Sequence, residues 1–298
     1  MKKRLFIFAS YDQDGIIDES VLYYLNALSD LGDVIFHMDN ESTETEIAKV
    51  RAIPNVLFAK AERHGEYDFG SYKCGYMWAA DHDILKNYDW VYLANDSVYG
   101  PLRPLAPILE NIESGNSDVV GMYYAINPNN VHYIQSWFVG ISRNIIQEEW
   151  LTCFLKAVTS QDDKKDIIEK YEFGLTALIC SNNCTFNCFM SGHEKDDLIR
   201  NPRKTLLAGL PFIKKSQFAL SNLGSKWIIK RHVHGNLANM IIYNINRRKI
   251  SFEKYTKIWD VRLFGFIPLI SLYQEVPGGS GKKRLLLFKI IKLAKICY

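Results

Sequence analysis

Short apolar runs alternate along the chain with segments whose apolar residues recur every three or four positions, and each apolar run ends in polar residues. "KRLFIFAS" (3–10) reads as a buried strand. After the polar loop "YDQDGIIDES", Asp18 or Ser20 is placed to cap a helix with Val21, Leu22, Leu25 and Leu28 on one face, ended by Gly32. "DVIFHMDN" repeats the strand pattern, and Glu44 to Ile53 forms a short helix stopped before Pro54. "NVLFAKA" gives a third strand, "GSYKCGYMWAADHDIL" a helix and "DWVYLAND" a fourth strand. This alternation predicts an α/β fold with a mostly parallel central sheet and helices on both faces. "SDVVGMYY" and "IQSWFVGISR" add two strands, and from Ile145 the pattern turns helical and less regular.

In such sheets ligands bind beyond the carboxyl ends of the strands. Those ends carry Ser10-Tyr11, Asp39-Asn40, Glu62-Arg63-His64 and Asn95-Asp96-Ser97. An aspartate fixed at a strand end suits a divalent cation that bridges to phosphates. With a single carboxylate in the motif, the ion keeps waters or finds another ligand. The alternative is a capping Asp96 in the turn before Gly100-Pro101.

Other stretches offer chemistry beside a plainer reading. In "ERHGEYDFGSYKCGY" (62–76), Gly65 permits a tight turn, Gly70 lets a helix start approach a ligand, and Arg63 suits a phosphate. The same stretch also reads as a βα loop that merely packs, and it matches neither the P-loop nor the dinucleotide fingerprint. Gln135, Ser136 and Trp137 face a cleft if their strand joins the main sheet. Glu172 in "KYEFGLTALI" is a candidate general base, or a first-turn acid favoured by a helix dipole. Lys214 and Lys215, with His232 and His234 on one strand face, either close over a diphosphate or decorate the surface.

Composition narrows the class. Of 298 residues, 48% are hydrophobic, enough for a sizeable core. The net charge of +3 is too mild for a nucleic-acid partner. No signal peptide is read at "MKKRLFIFAS", so the six cysteines are expected to be reduced in a cytoplasmic protein. "CSNNCTFNC" near His193 suggests zinc, but a second close pair is missing and buried thiols are favoured. "VPGGSGKK" (276–283) has the composition of a flexible linker. Beyond it, in residues 284–298, Lys289, Lys292 and Lys295 recur every three positions among apolar residues. That pattern predicts a basic amphipathic helix at a membrane surface, too short to span a bilayer.

Five stretches together resemble the rhamnan synthesis protein F family of bacterial polysaccharide glycosyltransferases. They are "ERHGEYDFGSYKCG", "LANDSVYGPL", "YIQSWFVGISR", "YEFGLT" and "LPFIKK", in order over roughly residues 4–215. The resemblance implies a GT-A-like nucleotide-binding sandwich over residues 1–275. It also implies a nucleotide-sugar donor, with dTDP-rhamnose suggested, and inverting transfer to a lipid-linked glycan acceptor. On this basis Asp96 is expected to hold Mg2+ or Mn2+ and the diphosphate, oriented by Asn95 and Ser97. Ser10, Tyr11 and Asp39 are expected to line the nucleoside pocket. Arg63, Gly65 and Asp68 would contact the donor, and Glu172 would be the base. The family's Asp-x-Asp position is here Asn-Asp-Ser. The enzyme is expected on the cytoplasmic face of the plasma membrane, tethered by its tail. The rival readings are a nucleotidyltransferase, for which metal-binding acids are scarce, and a non-catalytic scaffold in a glycan-assembly complex.

Overall fold

The structure, a computed structural model, describes residues 2–161, 164–219, 228–229 and 231–248, and the backbones of four strands within 255–296. Its centre is a sheet in the order β3–β2–β1–β4–β8–β6–β7, with β9 paired to the other side of β6. The first four strands, β1 (Arg4–Ser10), β2 (Asp33–Met38), β3 (Val56–Ala61) and β4 (Trp90–Asn95), run parallel. A short strand, β5 (Val98–Tyr99), follows β4 outside this sheet. Next come β6 (Val119–Ile126), β7 (His132–Ile134), β8 (Phe138–Ser142) and β9 (Phe186–His193). β8 pairs antiparallel with β4 and with β6, β7 pairs antiparallel with β6, and β9 runs parallel to β6.

Alternation along β1 explains the layers. Phe6 and Phe8 point to the face covered by α1 (Glu19–Ser29), α2 (Glu44–Arg51) and, after β5, α4 (Ala106–Ile112). Leu5, Ile7 and Ala9 point to the face covered by α3 (Tyr67–Asp81) and α5 (Glu149–Lys156). Each such large side chain contributes about 1.5–3 kcal/mol by burial. α3 lies so close to the sheet that a Cβ on Gly75 would stand 2.4 Å from Ile7 Cγ2. Asp18 caps α1, as expected, by accepting from the backbone N–H groups of Ser20 and Val21.

The chain then forms α6 (Lys164–Ile167), a π-helical stretch (Ile168–Phe173) and α7 (Gly174–Ser181) in one run. After α8 (Pro202–Leu207), β10 (Ile213–Lys214) pairs antiparallel with β5. α9 (Asn236–Arg247) packs on this ribbon, Leu237, Ile241 and Ile245 joining Tyr99, Ile213 and Phe218 in a small separate core.

Several expectations change. The single strand expected over 134–143 is broken between β7 and β8: Gln135 still donates its N–H to Tyr123 O in register with β6, but the next N–H, of Ser136, turns to the Glu172 carboxylate. His232 and His234 do not share a strand face, since His232 is helical and His234 follows in irregular chain. Cys153 and Cys180 are exposed and Cys74, Cys184 and Cys188 half-buried, so the expectation of buried thiols holds only in part. The basic amphipathic helix expected over 284–298 is not formed. β11 (Tyr255–Leu263), β12 (Ile267–Glu275), β13 (Lys283–Leu287) and β14 (Ile291–Ile296) make a four-stranded antiparallel sheet. Short apolar runs fit either period, and here pairing with a neighbouring strand satisfies the backbone. Residues 276–282, most of the expected linker, lie outside the described residues. Among the described residues no helix is long and apolar enough to cross a membrane.

Candidate active site

Because β1 to β4 are parallel, Ser10, Asp39, Arg63 and Asp96 all emerge on one edge of the sheet. At the end of β4, Asp96 donates its N–H to Ala9 O at 3.1 Å, which carries the β1 pairing one residue past the strand. Asp96 Oδ2 accepts from Ser10 Oγ at 3.3 Å and from Lys215 Nζ at 3.4 Å. Lys215 reaches this point because the β5–β10 ribbon delivers it: its N–H donates to Ser97 O at 2.8 Å. Its ammonium also lies 5.1 Å from the centroid of the Tyr99 ring. The Lys215 and Asp96 side chains are only 11% and 12% exposed, so water screens the pair little. Burial pushes the Lys215 ammonium below its usual range, while Asp96 and Asp18 oppose that shift.

Asn95 and Ser97 flank this pair. Asn95 Oδ1 accepts the N–H of Ser97 at 3.0 Å, and its Nδ2 donates to Asp68 Oδ2 at 2.8 Å, tying β4 to the first turn of α3. The buried Ser97 hydroxyl has no hydrogen-bond partner among the described residues.

Asp39 has a different setting. Its carboxylate accepts the backbone N–H groups of His64 (3.0 Å), Gly65 (2.8 Å) and Tyr67 (3.2 Å), and Arg63 pairs with it at 3.1 Å. Gly65 has φ +72°, which suits glycine, and this conformation helps aim successive N–H groups at the carboxylate. The Arg63 guanidinium sits 5.7 Å from the Tyr11 ring centroid. Ser10, Tyr11, Asp39, Arg63 and Gly65 thus come together as expected, but Asp39 is committed to ordering the 63–67 loop. A Cβ on Gly70 would fall 2.5 Å from the His64 ring, so that glycine serves the packing of α3 on its own loop.

Glu172 lies inside the π-helical stretch instead of opening an α-helix; such stretches are frequent at functional sites. Its Oε1 accepts both the N–H and the hydroxyl of Ser136 at 2.8 Å. Tyr72 OH donates to Ser136 O at 2.9 Å, and Asn95 donates its N–H to Trp137 O at 3.2 Å, so the 135–137 turn bridges Glu172 to the end of β4. Lys214 Nζ lies 5.6 Å from the Trp137 ring centroid. Burial raises the Glu172 carboxyl above its usual range; Lys214 and the Ser136 donors oppose this, and Glu194 adds to it.

Sequence reasoning missed Arg247 and Arg248, at the end of α9. Arg247 makes a two-pronged contact with Asp12 (3.2 and 2.5 Å) and reaches Asp18 Oδ2 at 3.2 Å. Arg248 donates to Tyr11 O at 2.9 Å, and Asn244 donates to Asp18. The only signal was the surplus of acids in "YDQDGIIDES", which demands partners from elsewhere.

A divalent cation at Asp96 would have to displace Lys215. Among the described residues no three His, Cys, Asp or Glu side chains are grouped to hold a metal ion. Such an ion would have Asp96 as its carboxylate ligand and would take the remainder from water and phosphate oxygens, and no step is assigned to it.

The fold and this edge define a three-layer α/β protein with a polar, charge-balanced site at the ends of its parallel strands. The family model for rhamnan synthesis protein F matches residues 34–252, well over half of the chain, and the chain belongs to that family. Among curated proteins it is similar to "Uncharacterized protein y4gN" of Sinorhizobium fredii (strain NBRC 101917 / NGR234), 27% identical over 113 residues. That match covers 37% of this chain and 29% of the relative, so the chain spans less than a third of the relative's length. Among solved structures it is similar to core-mannan synthase A (CmsA/Ktr4) from Aspergillus fumigatus in an Mn/GDP form. There the identity is 11%, the coverage 52% of this chain and 63% of the other, and the TM-score 0.33. A glycosyltransferase involved in glycosylation of the major capsid of PBCV-1 matches at 10% identity over 70% of this chain and 92% of the other, with TM-score 0.38.

Proposed function

We propose that this chain is an inverting glycosyltransferase of surface-polysaccharide assembly. It moves a sugar from a nucleoside-diphosphate donor to a growing lipid-linked glycan, with dTDP-L-rhamnose the first donor to test. The observation that carries this reading is the shielded Lys215–Asp96 pair at the strand edge, bridged through the 135–137 turn to Glu172.

The chemistry follows from charge. Transfer breaks the bond between the anomeric carbon and the diphosphate, which leaves with added negative charge. A preorganised cation in a dry site stabilises that charge far more than it would in water. Lys215 supplies the cation, and Asp96 with Ser10 holds it in place until the diphosphate arrives. The buried Ser97 hydroxyl, without a partner among the described residues, is available to a phosphate oxygen. Tyr11 and Arg63 offer a ring and a guanidinium to the nucleoside end, on a loop that Asp39 keeps ordered. Glu172, oriented by Ser136, takes the proton from the acceptor hydroxyl as its oxygen attacks the anomeric carbon. Burial raises its carboxyl above the usual glutamate range, which makes the carboxylate a stronger base. A lipid-linked acceptor places the reaction at the inner face of the plasma membrane.

The reading is tested by incubating the intact chain with a panel of nucleoside-diphosphate sugars and measuring nucleotide release with and without acceptor lipid. One donor should turn over, and Lys215→Met should lower its turnover by about 10²–10³-fold. A protein that binds none of the nucleotides is no glycosyltransferase.

A further inference from the structure

Away from the residues around Asp96, a cavity of about 360 Å³ opens between the β6–β7 turn and the π-helical stretch. It is lined by Asn127, Asn129, Tyr133, Glu169, Phe173 and Glu194, among others. We infer that this cavity is a carbohydrate subsite that takes a neutral pyranose ring of the acceptor glycan and presents it to Glu172. The inference rests on the glycosyltransferase reading.

Three observations support it. The first is chemical. A pyranose has a C–H face and a rim of hydroxyls, so its site needs an aromatic wall and fixed acceptors. The half-buried Phe173 offers the wall, backed by the buried Tyr133, whose ring lies 4.6 Å away and is tilted by 59°. Glu194 is held in place by the Tyr133 hydroxyl, which donates to its Oε2 at 2.8 Å. The Asn127 side chain stiffens the opposite lip by accepting from the N–H groups of Asn129 (2.8 Å) and Val131 (2.9 Å). The volume falls at the small end of the range of about 300–1,000 Å³ typical of small-molecule sites, as one or two sugar rings require.

The second observation is position. Phe173 directly follows Glu172, and Tyr133 lies three residues before Ser136, which holds the Glu172 carboxylate. The wall and the base are therefore set by the same two segments.

The third is charge. Glu169 and Glu194 in the lining, with Glu172 behind it, disfavour a phosphate, so the cavity is not a second place for the donor. A neutral polyol able to donate several hydroxyls to the lining carboxylates Glu169 and Glu194 meets no such penalty.

The test uses methyl α-L-rhamnopyranoside, methyl α-D-glucopyranoside and methyl α-D-mannopyranoside as probes. Their binding to the intact chain is read by saturation-transfer NMR, with dTDP and GDP titrated separately. Asn129→Trp, at an exposed turn, should fill the mouth without disturbing the core, and Phe173→Ala should remove the wall. At least one glycoside should bind and lose tenfold or more in affinity in both variants, with nucleotide affinity unchanged. The subsite is overturned if no glycoside binds, or if Asn129→Trp binds it as the parent does. If glycosides bind and the variants lose them but no nucleotide binds, the carbohydrate site stands and the glycosyltransferase reading falls.

Discussion

Asp39 and Asp96 end parallel strands on the same edge of one sheet, yet their carboxylates have contrasting neighbours. Asp39 is surrounded by backbone N–H groups from a loop at most 28 residues away, and the exposed Arg63 adds little. Asp96 instead faces a hydroxyl and one ammonium, the latter 119 residues further along the chain. A carboxylate saturated by N–H groups belongs to the scaffold, because releasing it would orphan several donors at once. A carboxylate balanced by a single side-chain cation can yield that cation to an incoming anion. Under the proposed function, the contrast separates an acid that orders the loop from one that works in the site.

The largest expected effect should fall on Asp96. Asp96→Asn removes the charge that holds Lys215, and sugar transfer should drop about 10³-fold. Asp39→Asn keeps an oxygen for the loop and should cost less than tenfold; equal losses at both positions would erase the contrast.

Stability should reverse the ranking. Asp39→Ala strands three N–H groups and should cost about 3–5 kcal/mol in urea unfolding. A loss below 1 kcal/mol would show that the loop holds itself.

A pH effect should follow from the imidazole beneath this loop. His37 is 2% exposed, its Nδ1 has no partner among the described residues, and its ring lies 5.3 Å from that of His64. Burial, helped by His64 and Lys60 and opposed by Glu62 and Asp39, lowers its pKa to about 4. The folded value lies below the unfolded one, so this stability is complete above about pH 6.5 and is lost as pH falls towards 4. The loss should reach about 3 kcal/mol, and His37→Gln should flatten the slope over that window. His64, also lowered by burial, leaves a smaller slope of the same sign.

The smallest effect concerns Glu172. Its raised carboxyl places the acid limb of the pH–rate profile above the usual glutamate range, and Ser136→Ala, which removes one donor, should move that limb higher still. A limb at the ordinary glutamate position would remove Glu172 as the base.

Much of this was legible in the chain. Phe6 and Phe8 against Leu5 and Ile7 announce a strand buried on both faces, and Asp18 before an apolar helical stripe announces a cap. The strand ends of the parallel half share one edge, and Ser10, Asp39, Arg63 and Asp96 meet there. What the chain could not reveal was who pairs with whom. Lys215 in "LPFIKK" looks like a surface lysine until the β5–β10 ribbon brings it to Asp96. Arg247 finds Asp12 only across 235 residues. The tail was misread because lysines every third position mimic a helical face, while backbone pairing between β13 and β14 sets the outcome.

The central claim is that the Lys215–Asp96 pair is a diphosphate site, not a structural ion pair. Removing one partner of a shielded pair destabilises, whereas replacing both can restore stability. The decisive measurement is therefore donor turnover in Asp96→Asn/Lys215→Met, with the melting temperature recorded on the same sample. The account predicts a melting temperature close to the parent's and no detectable sugar transfer. Transfer at near the parent rate by that folded double variant would contradict it.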